Sequence, residues 1–156
     1  MKKFLLPLFK GKTQIGRVLE TAHYNRPIPY DEMEDLVHKR YEFAYEFSEK
    51  WKKSGISALI MPLWPHCGMK AHNQLEWGQM VEYVAIWNAL YYPCGTLPVT
   101  KVLPDEEEYK DSKNDLWTKV LADSAKGSAG MPISVQVVAH AFEDEKALAV
   151  MQAIEK

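Results

Sequence analysis

Between residues 30 and 53 the apolar positions Met33, Leu36, Val37, Ala44, Phe47 and Trp51 recur at spacings of three, four and seven, which is the stripe of an amphipathic helix. Asp31, Glu32 and Glu34 fall in its first turns and Lys50, Lys52 and Lys53 in its last, matching the helix dipole. Ser54-Gly55 ends that helix. The apolar run Ile56 to Met61, closed by Pro62, then reads as a buried strand. A loop bearing prolines and histidines follows, and large side chains on more than one face predict a mostly covered helix from about Glu76 to Leu90, stopped by Pro93 and Gly95. Thr96 to Val102 reads as a strand whose Pro98 argues for an edge or an irregular start. Asn114 to Ala125 supports a short helix, Gly127-Ser128-Ala129-Gly130 a turn, Pro132 to Ala139 a strand and residues 144 to 155 a last helix. Helices and strands that alternate in this way belong to an α/β layer fold, with strands expected to lie inside a larger sheet.

Composition narrows the function classes. The 156 residues make one ordinary domain, and a hydrophobic share of 47% suffices for a core. No repeat, low-complexity tract or flexible linker divides the chain. A net charge of -2 gives no basic face for nucleic acid, so that partner class is set aside. Cys67 and Cys94 stand far apart without the spacing of a disulfide framework or a zinc site, which fits a reducing, intracellular compartment. The apolar run Phe4 to Phe9 after Met1-Lys2-Lys3 is too short for a signal peptide, so secretion is not expected, and no run reaches the roughly 18 apolar residues that span a bilayer. Any membrane contact is therefore expected to be peripheral.

Lys126-Gly127-Ser128-Ala129-Gly130 has its glycines in the wrong places for a Gly-x-Ser-x-Gly nucleophile turn, and Ser128 reads as a turn residue. His66-Cys67 places a base beside a thiol, but neighbours in an extended loop point apart, which favours an ordinary loop cysteine and a surface histidine. His66 and His72, with Asn73 and Glu76 nearby, have no spacing that demands a metal. Phosphate- and dinucleotide-binding glycine loops are missing, and no cofactor is expected. The acidic run Asp105 to Glu108 reads as a solvated stretch.

Four stretches carry a resemblance: Ile56 to Pro62 (ISALIMP), Asn88 to Val102 (NALYYPCGTLPVTKV), Asp115 to Trp117 (DLW), and Ser128 to Ala139 (SAGMPISVQVVA) with Phe142-Glu143-Asp144-Glu145 after it. In this order they resemble the C-terminal segment of amidase-signature hydrolases of the fatty acid amide hydrolase type. Gly-Met-Pro-Ile-Ser-Val-Gln is similar to a stretch common to amidases generally, whereas Asn88 to Val102 and Trp117 point to the fatty acid amide type. The resemblance implies the C-terminal part of a three-layer α/β/α fold with a mixed central sheet, residues 1–156 forming a partial amidase domain. It implies a lysine and two serines as the catalytic triad, the lysine acting through one serine to activate the other. Those motifs belong to the family's earlier portion, and this chain begins after their place, so no catalytic residue is assigned and the isolated chain is expected to be inactive.

The resemblance also implies what this portion contributes. Gly78, Val81 and Ala85 fall where residues lining a long acyl channel lie, on one helical face at i, i+3 and i+7. Trp117 matches another wall position, and Thr21 and Asn25 match further ones less closely. Gly78 and Ala85 are smaller than the family's side chains there, which implies a wider channel. For Val81 and Ala85 the competing expectation is plain core packing, which stands unless a cleft opens beside them. Residues 1–25, with Leu5, Leu6, Leu8 and Phe9 among Lys2, Lys3, Lys10, Lys12 and Arg17, look like the end of a membrane-facing cap, or equally an exposed helix or a loose end. The expected partners are a long-chain amide substrate, a membrane surface met from the side, and a second copy or a separate N-terminal amidase portion. The alternatives to a piece of an amidase are a non-catalytic lipid- or membrane-binding module and a subunit that completes a split amidase.

Overall fold

The computed structural model describes residues 27–68, 81–111, 113 and 115–155, so Thr21, Asn25, His72, Asn73, Glu76, Gly78 and the basic stretch at 2–17 lie outside the described residues. Among the described residues seven elements follow one another: α1 (Tyr30–Ser54), β1 (Ala58–Pro62), α2 (Glu82–Leu90), β2 (Cys94–Lys101), α3 (Leu116–Ala125), β3 (Pro132–Ala139) and α4 (Asp144–Glu155). The alternation expected from the sequence is present, a mixed helix-and-strand architecture compatible with an α/β fold.

The chain divides into two compact units, Met1–Phe43 and Ala44–Lys156. In the first, the described part of α1 leaves Tyr30, Met33, Leu36, Val37 and Tyr41 exposed. Its side chains are occupied locally, with His38 Nε2 at 3.3 Å from Glu42 and the Arg40 guanidinium 4.4 Å over the Tyr41 ring. In the second unit the same helix becomes a core element, because Trp51 is buried and Ala44 and Phe47 pack beside it.

The three strands form one antiparallel sheet in the order β1-β3-β2. β3 is central: Val137, Val138 and Ala139 have no exposed surface, and Gln136 pairs with Met61 on one side and Thr96 on the other. β2 lies at an edge, as Pro98 predicted, and the irregularity sits mid-strand, where the register shifts between Pro98 and Thr100. A residue without an amide hydrogen cannot continue the ladder there. α4 packs across β2 and β3. Gly95 lies directly beneath the Met151 thioether, so even one added methyl would collide with it.

The core is aromatic. Trp51, Trp87, Leu90, Tyr92 and Val138 cluster, with Phe47, Leu59 and Ile86 against them. Tyr92 meets Trp51 edge-on at 5.5 Å and Phe47 at 5.8 Å, the geometry that the ring quadrupoles favour. α2 is stopped by Tyr91, whose φ of 56° is left-handed, and not by Pro93 or Gly95. That turn lets Tyr92 N donate to Trp87 O at 3.0 Å and swings the Tyr92 ring into the core.

Candidate substrate-binding site

α2 presents two faces. At 100° per residue, Ile86, Trp87 and Leu90 share the side that enters the aromatic core, while Val81 and Ala85 project on the opposite side. Val81 stands at the N-cap position of α2 and is 45% exposed, and Ala85 is half-buried. Neither is among the partly buried residues packed against the aromatic cluster. Gly78 lies outside the described residues, so of the three positions only Val81 and Ala85 are seen on one face. None of the three clefts described below is lined by either.

Trp117 is the second residue of α3. Its backbone is fixed by a capping box that the sequence reading missed, having begun the helix at Asn114. Asp115 Oδ1 accepts from Thr118 N at 2.9 Å, and Thr118 Oγ1 accepts from Asp115 N at 3.1 Å. The signal was present in the sequence as an aspartate three residues before a threonine. The Trp117 side chain is outside the described part of the structure.

A cleft of about 450 Å³ opens between the loop after β1 and the start of β3, lined by Trp64, His66, Cys67 and Ile133 among others. The expectation that His66 and Cys67 point apart fails here. The loop is bent, not extended, and Cys67 Sγ lies 3.3 Å from His66 Nδ1. The same Nδ1 lies 2.9 Å from Gly68 O. Gly68 N also approaches this Nδ1, at 3.4 Å, so the nitrogen is shared among contacts within the turn, and which of them donate depends on the tautomer. Two other clefts, of about 480 and 530 Å³, lie beside Tyr91 and Phe142 and beside the acidic run.

Ser128 is a turn residue, as expected: it is buried, and its hydroxyl donates to Ala125 O at 2.7 Å, closing the end of α3. The acidic run is more than a solvated stretch. Glu107 Oε1 accepts from Ala129 N at 2.7 Å, and Glu106 Oε2 accepts from Leu103 N at 2.9 Å. Among the described residues no three His, Cys, Asp or Glu side chains gather to hold a metal ion, and no helix is long and apolar enough to cross a membrane.

Sequence reasoning also passed over Gln136 as an individual residue. It is only 1% exposed, on the central strand, and every hydrogen-bonding group of its carboxamide is used. Nε2 donates to Pro62 O at 3.0 Å and to Tyr83 O at 2.9 Å, while Oε1 accepts from Cys94 Sγ at 3.3 Å. Cys94 as a whole residue is exposed, yet its thiol turns inward, and burial pushes its pKa up. A buried amide with all its partners met fixes geometry, because any displacement strands a polar group away from water.

No family model matches the chain. Among curated proteins it is similar to fatty-acid amide hydrolase 1 of Sus scrofa, 28% identical over 136 residues that make up 84% of this chain and 23% of that protein. It is 35% identical over 78 residues to fatty acid amide hydrolase 1 of Caenorhabditis elegans, 48% of this chain and 14% of the relative. It is also 23% identical over 161 residues to an acetamidase of Emericella nidulans, 94% of this chain and 28% of the relative. The chain therefore spans between 14% and 28% of the length of these relatives. The resemblance found in its motifs is borne out.

Proposed function

We propose that this chain, a relative of fatty acid amide hydrolases and amidases, forms part of a hydrolase of linear amides with long apolar acyl groups, and that α2 supplies wall to the acyl channel. The observation that carries the reading is the placement of Val81 and Ala85 on the face of α2 turned away from the aromatic core. Two small apolar side chains in successive turns make a smooth, shallow strip suited to an alkyl chain and offering it no hydrogen bond. The small size of Ala85 favours a broad acyl group. In this reading the nucleophile and its base come from outside these residues. The chain alone binds a fatty amide without cleaving it. The basic and apolar stretch at 2–17 is proposed, on its composition, to meet a membrane surface from the side.

The test uses the 156-residue chain and a homologous series of straight-chain primary amides, read by tryptophan fluorescence and by ammonia release. Affinity is expected to rise with chain length and ammonia to stay at background. Ala85→Trp, which fills the strip, is expected to weaken the longest amide about tenfold or more and the shortest little, the scale of one lost buried contact set. Affinity independent of chain length would overturn the channel reading. A second reading, a subunit completing a split amidase, is favoured by the outer edges of β1 and β2, which pair with no other strand among the described residues. It predicts turnover only when a separately produced N-terminal amidase portion is added.

A further inference from the structure

We propose that Gln136 is a positioning residue that sets the acyl-chain selectivity of the α2 face, an inference that rests on the channel-wall reading above. Its two amide hydrogens go to the two ends of a single connection. Pro62 O, at 3.0 Å, is where the chain leaves β1, and Tyr83 O, at 2.9 Å, is in the first turn of α2, where that connection ends. One carboxamide on the central strand therefore ties both stems to the sheet. Tyr83 is two residues from Val81 and two from Ala85, so the bond that holds its carbonyl also fixes the rotation and height of the strip they form. Oε1 is held in turn by the Cys94 thiol, and this orients the amide so that its hydrogens, and not its oxygen, face the two carbonyls.

The geometry makes a distinction that a purely structural glutamine would not. Loss of the clamp frees the start of α2 while β3 keeps its ladder to both neighbours. The strip then shifts relative to the sheet, and the advantage of long over short amides falls, with less change for short amides that touch little of it. A general loss of packing would weaken all chain lengths alike.

The experiment compares the unaltered 156-residue chain with Gln136→Met, similar in volume but without donors, and with Cys94→Ala, which leaves both Nε2 bonds. Amide hydrogen exchange and affinity for the same straight-chain amide series are the readouts. For Gln136→Met, exchange at residues 82 to 86 is expected to speed by about tenfold or more, β3 to stay protected, and the long-to-short affinity ratio to collapse. Cys94→Ala is expected to keep most of that ratio. If Gln136→Met does not fold, Gln136→Glu decides. Its carboxylate opposes two carbonyl oxygens at neutral pH, whereas protonation at lower pH restores one O–H donor, so α2 protection and the long-chain preference are expected to return together as pH falls. The Cys94 thiol, raised by burial, stays protonated throughout. An unchanged ratio in Gln136→Met, or a Gln136→Glu chain indifferent to pH, overturns the proposal while leaving the channel wall standing. An unaltered chain that binds no amide overturns the channel wall, and the selectivity role with it.

Discussion

Tyr92 shows how much one side chain decides here. Its ring joins two tryptophans and a phenylalanine, and burial raises its pKa, the nearby Ser48 hydroxyl offsetting part of that rise. The Ser48 hydroxyl is hydrogen-bonded at 2.8 Å to His140 Nε2, and among the described residues the Tyr92 hydroxyl meets no partner in proper geometry. An unmet buried hydroxyl costs stability, so Tyr92→Phe is expected to be neutral or to stabilise by up to about 1 kcal/mol in urea unfolding. A loss of more than that would show that the hydroxyl is bonded. Cys94 gives a pH-dependent counterpart. Burial disfavours its thiolate, so its contribution to stability is complete below the ordinary thiol pKa and is lost as pH rises through the raised folded value. Iodoacetamide is accordingly expected to label Cys94 in the folded chain only above the pH at which it labels the same residue in the unfolded chain. Equal labelling profiles would contradict this.

At the scale of elements, the helices and strands among the described residues were legible in the sequence, because stripes such as Phe47 to Trp51 and the end of the run at Val137 to Ala139 follow burial. Element ends were less so. The stop of α2 at a left-handed Tyr91 depends on tertiary packing of Tyr92, which no local signal carries. The α3 cap was readable as Asp115 and Thr118 but was passed over for Asn114. Asp115→Ala is expected to lower stability by about 1 kcal/mol in thermal unfolding and to loosen the first turn that places Trp117. If the melt does not move, the capping box contributes nothing. Of the site positions, Val81 and Ala85 were marked by resemblance, and neither packs against the aromatic cluster. Gln136 and the bent His66–Cys67 turn depend on contacts between residues distant in sequence or on loop curvature, and neither leaves a periodic trace.

At the largest scale, the three strands among the described residues leave two outer edges, and Ile60 on β1 and Val99 on β2 stand half open to solvent. Such edges pair readily with further strands. Ile60→Lys is therefore expected to reduce concentration-dependent association in light scattering without lowering the melting temperature by more than a few degrees, since little of its side chain is buried. Association unaffected by the lysine would locate it elsewhere.

The clamp at Gln136 makes two backbone segments answer to one side chain. Pro62 O at the end of β1 and Tyr83 O in the first turn of α2 accept from the same nitrogen. A change at position 136 is therefore felt at both places together, because each carbonyl loses its donor at once. Position 136 is thus a single point of failure for two stretches that lie far apart in sequence.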